Sequence, residues 1–267
     1  MSVYDLAGRK ALVTGGAQGL GAGMAEALAG AGAAVVIGDI QEDAAKETVE
    51  ALRESGGVAD YVPLDVTSDS SWERAVEQAV GLLDGLDIVV NNAGVEISSL
   101  LADLDAEQAR RMLEVNVLGT SLGIKHAFRA MRPGGSAGAG GAIINVASVA
   151  ATIAFPGIAV YSATKSAVDR LTRVAAMESG RLGYGVRVNC VYPGLVATQM
   201  GLQLAADMET LGLFGSAQEA VGAVVGLTPL GRLGEVADMA DAVVFLASDG
   251  ARFITGVGLP VDGGMGM

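Results

Sequence analysis

A serine, a tyrosine and a lysine stand in this chain at spacings that could move a proton. Ser148 closes an apolar run, residues 142–147, that reads as a short buried strand. Tyr161 follows 13 residues later at the head of a helical pattern, and Lys165 comes four positions after it. Residues i and i+4 share a helix face about 5–6 Å apart, so the spacing sets the Lys165 ammonium beside the tyrosine ring. A phenol next to a fixed positive charge gives up its proton more easily than the free side chain, whose pKa is about 10. The expectation is a tyrosine usable as acid and base near neutral pH. Ser148 would hold a carbonyl or alcohol oxygen within its reach. A Y-x-x-x-K pair also arises by chance in many helices, and a serine at a strand end is commonly a turn or cap residue. What lies upstream gives the three their meaning.

Residues 10–14 form a short apolar strand run that leads into Thr14-Gly15-Gly16-Ala17-Gln18-Gly19-Leu20-Gly21 and then an alanine-rich helix to about Ala31. A glycine-rich turn between strand and helix lets backbone N–H groups approach a pyrophosphate at the positive end of the helix. A second apolar run, 33–37, finishes in Gly38-Asp39, about 20 residues beyond the loop. An acid there suits the ribose hydroxyls of NAD and repels a 2′-phosphate. Gln18, where an arginine could have met that phosphate, agrees with NAD over NADP.

The alternation of strand and helix runs on. Helical patterns cover 42–55, 68–83, about 105–131, 161–180 and 235–248; strand runs cover 59–64, 86–90, 142–147, 186–191 and 257–261. Thr67 or Ser68 is the cap of the 68–83 helix. Asp65 ends the third strand and is placed either to meet an adenine amino group or to cap a turn. Asn116 falls inside the 105–131 helix, where asparagine is a modest helix former, so it is either solvated or engaged in polar contacts inside. Residues 133–141 are the one low-complexity stretch, read as a weakly ordered surface connection and not a domain linker. Residues 199–227 carry Met200, Leu202, Leu204, Met208, Leu211, Leu213 and Phe214, an adaptable apolar set that reads as a substrate lid or as an ordinary packed helix pair. Seven strands alternating with helices give an α/β fold. The expectation is one Rossmann-like domain over 1–267, a doubly wound parallel sheet of order 3-2-1-4-5-6-7 with helices on both faces.

Composition narrows the functions. With 267 residues, 51% of them hydrophobic, the chain can bury a large core. Its net charge is −13, from 17 Lys+Arg against 30 Asp+Glu, and no basic cluster interrupts it. Nucleic-acid binding and docking on anionic membranes both need a positive footprint and are disfavoured. The single cysteine, Cys190, sits in an apolar run and reads as a small buried hydrophobe; the single histidine, His126, reads as a helix-surface or interface residue and not a metal ligand. Residues 1–5 lack a charged segment followed by an apolar one, and no apolar run reaches the ~18 residues of a membrane span. A soluble cytoplasmic protein is expected.

The residues together resemble the short-chain dehydrogenase/reductases of the single-domain, NAD(P)-dependent type, over almost the whole chain. The resemblance rests on Thr14-Gly15-x-x-x-Gly19-x-Gly21, Asn91-Asn92-Ala93-Gly94, Asn116, Ser148, Tyr161-x-x-x-Lys165, and Pro193-Gly194 with Thr198. It implies that Tyr161 is the general acid in ketone reduction and the base in alcohol oxidation. It further implies that Lys165 binds the nicotinamide ribose and lowers the phenol's pKa, that Ser148 orients the substrate oxygen, and that Asn116 holds a water in a proton relay to Lys165. The cofactor is implied to lie on Gly15, Gln18, Gly19 and Leu20, with Asp39 and Ile40 at the adenosine ribose and Asp65 and Val66 at the adenine. Asn92, Ala93 and Gly94 would back it, and Pro193, Gly194, Val196 and Thr198 would hold the carboxamide end. Family members are commonly homotetramers. The 133–141 segment is longer and richer in glycine than the family suggests. The function implied is hydride transfer between NAD and a secondary alcohol or ketone. The apolar 199–227 segment points to a hydrophobic or cyclic, even steroid-like, substrate. The rival readings are a 3-oxoacyl-thioester reductase using NADPH, which Asp39 opposes, and a non-catalytic NAD-binding sensor or scaffold, for which a defective set of catalytic residues would be expected.

Overall fold

Seven short, predominantly apolar strands must be covered on both sides. They are β1 Lys10–Thr14, β2 Ala34–Asp39, β3 Ala59–Pro63, β4 Ile88–Asn91, β5 Gly141–Val146, β6 Val186–Pro193 and β7 Gly258–Val261. In the computed structural model, which describes residues 3–138 and 140–267, they pair in parallel in the order β3-β2-β1-β4-β5-β6-β7. The expected order is thus observed.

Side chains alternate across the sheet. Ala11, Val13, Val35, Ile37 and Ile144 enter one apolar layer; Leu12, Val36, Val89 and Ile143 enter the other. The first layer is closed by α1 Gly19–Gly30, α2 Glu42–Glu54 and α9 Val236–Ala247 through Met24, Leu28, Val49 and Val243. The second is closed by α3 Asp69–Leu83, α5 Gly119–Met131 and α6 Ala159–Leu182 through Trp72, Phe128 and Ala175. Burying each such Val, Leu or Ile fully is worth roughly 1.5–3 kcal/mol, which makes this two-layered core the source of the sheet's rigidity. Parallel registers such as Thr14 opposite Gly38 and Asn91 opposite Asn145 bring the carboxyl ends of the strands to one edge. That edge is where a doubly wound sheet opens a crevice.

Four expectations need correcting or refining. The 105–131 helix is not one uniform helix: α4 Ala106–Met112, capped by Asp105, runs through a π turn, Leu113–Leu118, into α5. Residues 199–227 are two helices, α7 Gln199–Thr210 and α8 Ala217–Leu227, capped by Thr198 and Ser216. They pack Ala205, Met208 and Ala220 against Ala150 and Ile158. Of the two readings of His126, surface or interface, the first is corrected: the residue is 6% exposed, stacks on Trp72, and bonds Asp69 at 2.7 Å. Finally, the described part of the glycine-rich segment is tied back to α5 by Ala137 N–H donating to Ala130 O and Gly140 N–H to Met131 O. Ala139, within the stretch expected to be weakly ordered, and Met1 and Ser2, within the amino-terminal reading, lie outside the described residues. Cys190 is buried as expected, and burial pushes its thiol up to about 11, which leaves it inert. No helix among the described residues is long and apolar enough to cross a membrane.

Candidate active site

The crevice is a cavity of about 840 Å³ that runs from the glycine loop to Tyr161. At one end Gly15 adopts φ +62°, and a Cβ on Gly21 would sit 2.0 Å from Gly15 O. Only hydrogen at these positions lets the backbone close so tightly at the start of α1. The turn is braced from below: Asn92 Nδ2 donates to Thr14 O and Gly15 O, while the Thr14 hydroxyl accepts from Asn92 N–H and Ala93 N–H. Asn92 and Ala93 therefore serve the loop directly, behind the space they line.

Asp39 ends β2 with its carboxylate 6% exposed at residue level, accepting Ala17 N–H at 3.0 Å and Gln41 N–H at 2.9 Å. These bonds fix the group while leaving lone pairs for hydroxyl donors in the cavity. Gln18, Gly19, Leu20 and Ile40 line the same end, Ile40 at 71% exposure. The Asp65 carboxylate accepts from both the N–H and the hydroxyl of Thr67 through Oδ1, so it caps a turn and also borders the cavity. Val66 next to it is pinned by Trp72, whose indole N–H donates to Val66 O at 3.0 Å. An acid for a diol, a helix start whose backbone can approach closely, and a braced floor fit an adenine dinucleotide.

At the other end the sheet and α6 bring the proton-handling residues together. Ser148 follows β5, its Oγ accepting from Ala150 N–H at 3.1 Å. Tyr161 and Ser148 line the same stretch of the cavity, close enough for the serine hydroxyl to favour the ionised phenol. Lys165 Nζ donates to Val146 O at 2.8 Å and lies 5.6 Å from the tyrosine ring centre. Here the electrostatic expectation fails. Burial pushes the phenol up to about 12; the Ser148 hydroxyl opposes this and the Glu96 charge adds to it, while Lys165 supplies no lowering. The lysine amine has turned to a carbonyl instead of the phenol oxygen, and burial brings it down to about 8.

Asn116 is held in the π turn, 1% exposed. Its Oδ1 accepts Val95 N–H at 2.9 Å, and its Nδ2 donates to Val95 O at 2.8 Å and to Thr164 Oγ1 at 3.0 Å. The side chain thus clamps the loop after β4 to α6. A relay water would have to use the backbone carbonyl, which also accepts from the Thr120 hydroxyl at 2.8 Å. π turns free carbonyls in this way and recur at functional sites. A Cβ on Gly94 would lie 3.3 Å from Asn116 Oδ1 and 3.4 Å from Lys165 Nζ, so these three residues adjoin.

Pro193 at the end of β6, and Gly194 and Val196 after it, line the cavity, and Thr198 lines it while its hydroxyl accepts Gly201 N–H to cap α7. Two contributors are missed by the sequence reading. A buried chain, Asn91 Nδ2 to Asn145 Oδ1 and Asn145 Nδ2 to Thr172 Oγ1, locks β4, β5 and α6 in register under Ser148 and Tyr161. Glu96, on the loop after β4, also lines the cavity; its signal was being the one charged residue between Asp87 and Asp103.

Comparison with known proteins accords with this geometry. A family model described as enoyl-(acyl carrier protein) reductase matches residues 15–266. The chain is 40% identical to trans-4-hydroxycyclohexanecarboxylate dehydrogenase of Sinomonas cyclohexanicum, over 97% of this chain and 93% of that one. It is 36% identical to cyclopentanol dehydrogenase of Comamonas testosteroni, over 95% of each. Among solved structures, NAD+-bound xylitol dehydrogenase superimposes with a TM-score of 0.91 at 29% identity, covering 97% of this chain and 99% of that one.

Proposed function

We propose, from the premise that the chain belongs to the short-chain dehydrogenase/reductase family, that it oxidises the secondary hydroxyl of a ring alcohol with NAD and reduces the matching ketone in reverse. The chain is an oxidoreductase of secondary alcohols, and the nicotinamide coenzyme is what supplies hydride transfer when bound. Choice of NAD, the ring substrate and the residue roles below are this reading's own. One observation carries it: the Ser148–Tyr161–Lys165 group and the Asp39 carboxylate border the two ends of one continuous cavity.

In this reading Gly15, Gln18, Gly19, Leu20, Asp39, Ile40, Asp65 and Val66 hold the adenosine half. Asn92, Ala93, Gly94, Lys165, Pro193, Gly194, Val196 and Thr198 hold the nicotinamide half. Ser148 donates to the substrate oxygen and fixes it against the Tyr161 hydroxyl. Tyr161 takes the alcohol proton in oxidation and returns it in reduction. Lys165 and the Asn116 carbonyl pass that proton toward solvent. The pair α7–α8 acts as a lid, with Met200, Gln203, Leu204 and Val224 on its inner side. Exposed apolar side chains on the Asn116 and Tyr161 helices, Leu113, Leu118, Val174 and Met177, support a homotetramer built on that face. A cytoplasmic setting completes the reading.

The test is steady-state oxidation of cyclopentanol, cyclohexanol and a 3-hydroxysteroid with NAD, followed across pH. Turnover is expected with at least one ring alcohol. Because burial raises the phenol, its basic form is scarce at neutral pH, and kcat/KM for oxidation should climb from about pH 6 to about pH 9, by at most about tenfold per unit. Reduction, which needs the protonated phenol, should not climb. Silence from folded, NADH-binding protein across the panel would sink the reading, and a preference for a 3-oxoacyl thioester with NADPH would replace it with that rival.

A further inference from the structure

The mechanism above leaves two ionisable groups of the cavity lining, Arg111 and Glu96, without a task, and Glu96 is the one whose charge bears on Tyr161. Glu96 borders the same space as Ser148 and Tyr161, in a lining that also carries the apolar Val149, Ala150, Ile153, Phe155 and Leu204. Its Oε1 accepts the Ser98 hydroxyl at 2.9 Å, and among the described residues its Oε2 has no hydrogen-bond partner. A half-buried carboxyl oxygen left open toward an apolar pocket is costly unless a ligand donor reaches it.

We infer that Glu96 is a specificity residue that accepts a second hydroxyl of the ring substrate, so that a neutral ring diol is preferred over a mono-alcohol and over a ring bearing a carboxylate. This rests on the dehydrogenase reading above and narrows its substrate. Three features set the chemistry. Glu96 and Asp207 of α7 bear on one another electrostatically, and an anionic substituent entering between them would be repelled. Gln203 and Asp207 are bonded to each other at 2.8 Å, so that side of the lid presents no cation to a carboxylate. Burial, ahead of every other influence, raises the Glu96 carboxyl to about 7, and a hydroxyl can satisfy it whether or not it is charged, whereas an ammonium needs it charged. The charged and titratable groups bearing on it are Asp207 from the lid and Tyr161 from α6.

The experiment compares kcat/KM for the cyclohexanediol isomers, cyclohexanol, 4-hydroxycyclohexanecarboxylate and 2-aminocyclohexanol in the parent, Glu96→Gln and Glu96→Ala. NADH binding by fluorescence checks that each variant is folded. The parent should favour at least one diol over cyclohexanol by about tenfold or more, mostly through KM, as a charge-assisted hydrogen bond allows. In Glu96→Ala that ratio should fall to about one, with Glu96→Gln, which keeps the shape, in between. A parent ratio near one, a ratio that survives Glu96→Ala, or preference for the carboxylate or the amine overturns the inference while leaving the dehydrogenase reading intact. Should Glu96→Ala lose NADH binding, the Gln variant decides by the same ratio. A folded parent that oxidises none of these alcohols with NAD or NADP removes the dehydrogenase reading and this inference together.

Discussion

Tyr161→Phe is expected to lower kcat for alcohol oxidation by about 1,000-fold, within the range set by loss of a positioned general acid–base. NADH binding should stay within a few-fold of the parent. The substitution removes one oxygen and leaves the ring, which packs against the apolar cluster of Ala150, Ile158, Ala205, Met208 and Ala220. Any single hydrogen bond of the phenol is worth only about 1 kcal/mol, so the fold should tolerate the change. Residual activity should lose the rise with pH that the parent shows. A variant within tenfold of the parent would mean that another group handles the proton. Glu96, in the same cavity, would then be the candidate, since Lys165 points to Val146 O and the Asn116 side chain is clamped on Val95.

Asp39→Asn carries the second large effect, on choice of cofactor. The carboxylate accepts two backbone N–H groups, from Ala17 and Gln41, through its two oxygens. An amide has one acceptor oxygen, so one of those N–H groups faces an NH₂, at a cost of roughly 1–3 kcal/mol. The charge that would repel a 2′-phosphate also disappears. In the parent, kcat/KM with NAD should exceed that with NADP by about 100-fold or more; in Asp39→Asn the ratio should shrink to about tenfold or less. Most of the change should come from weakened NAD. A parent that prefers NADP, or a ratio untouched by the substitution, would contradict the place given to Asp39.

Much of this was readable in advance, for physical reasons that differ by element. The strands were legible because a parallel sheet covered on both faces writes itself as short continuous apolar runs, as in 10–14 and 142–147. The loop was legible because close backbone approach excludes Cβ at Gly15 and Gly21. The π turn was not: a widened turn has no residue signature of its own, so 105–131 reads as a single helix although Leu113–Leu118 departs from it. The burial of His126 is not legible, because a polar residue on a helix looks solvent-facing until Asp69 and Trp72, more than 50 positions away, close over it. The i to i+4 spacing placed Lys165 beside Tyr161 correctly but could not show which oxygen the amine would choose. Val146 O wins because it is within 2.8 Å, and the phenol is then raised by burial where the spacing alone foretold lowering. Glu96 acquires meaning only when the loop after β4 folds under the lid.

The most direct test follows one atom. Cyclohexanol deuterated at its carbinol carbon is incubated with the protein and NAD, and the reduced cofactor is analysed by mass spectrometry. Deuterium is expected to appear in NADH in step with cyclohexanone, with a slower rate than for the undeuterated alcohol when chemistry limits turnover. Cyclohexanone formed without deuterium in the cofactor, or deuterium lost to water, would contradict hydride transfer between this ring carbon and the nicotinamide.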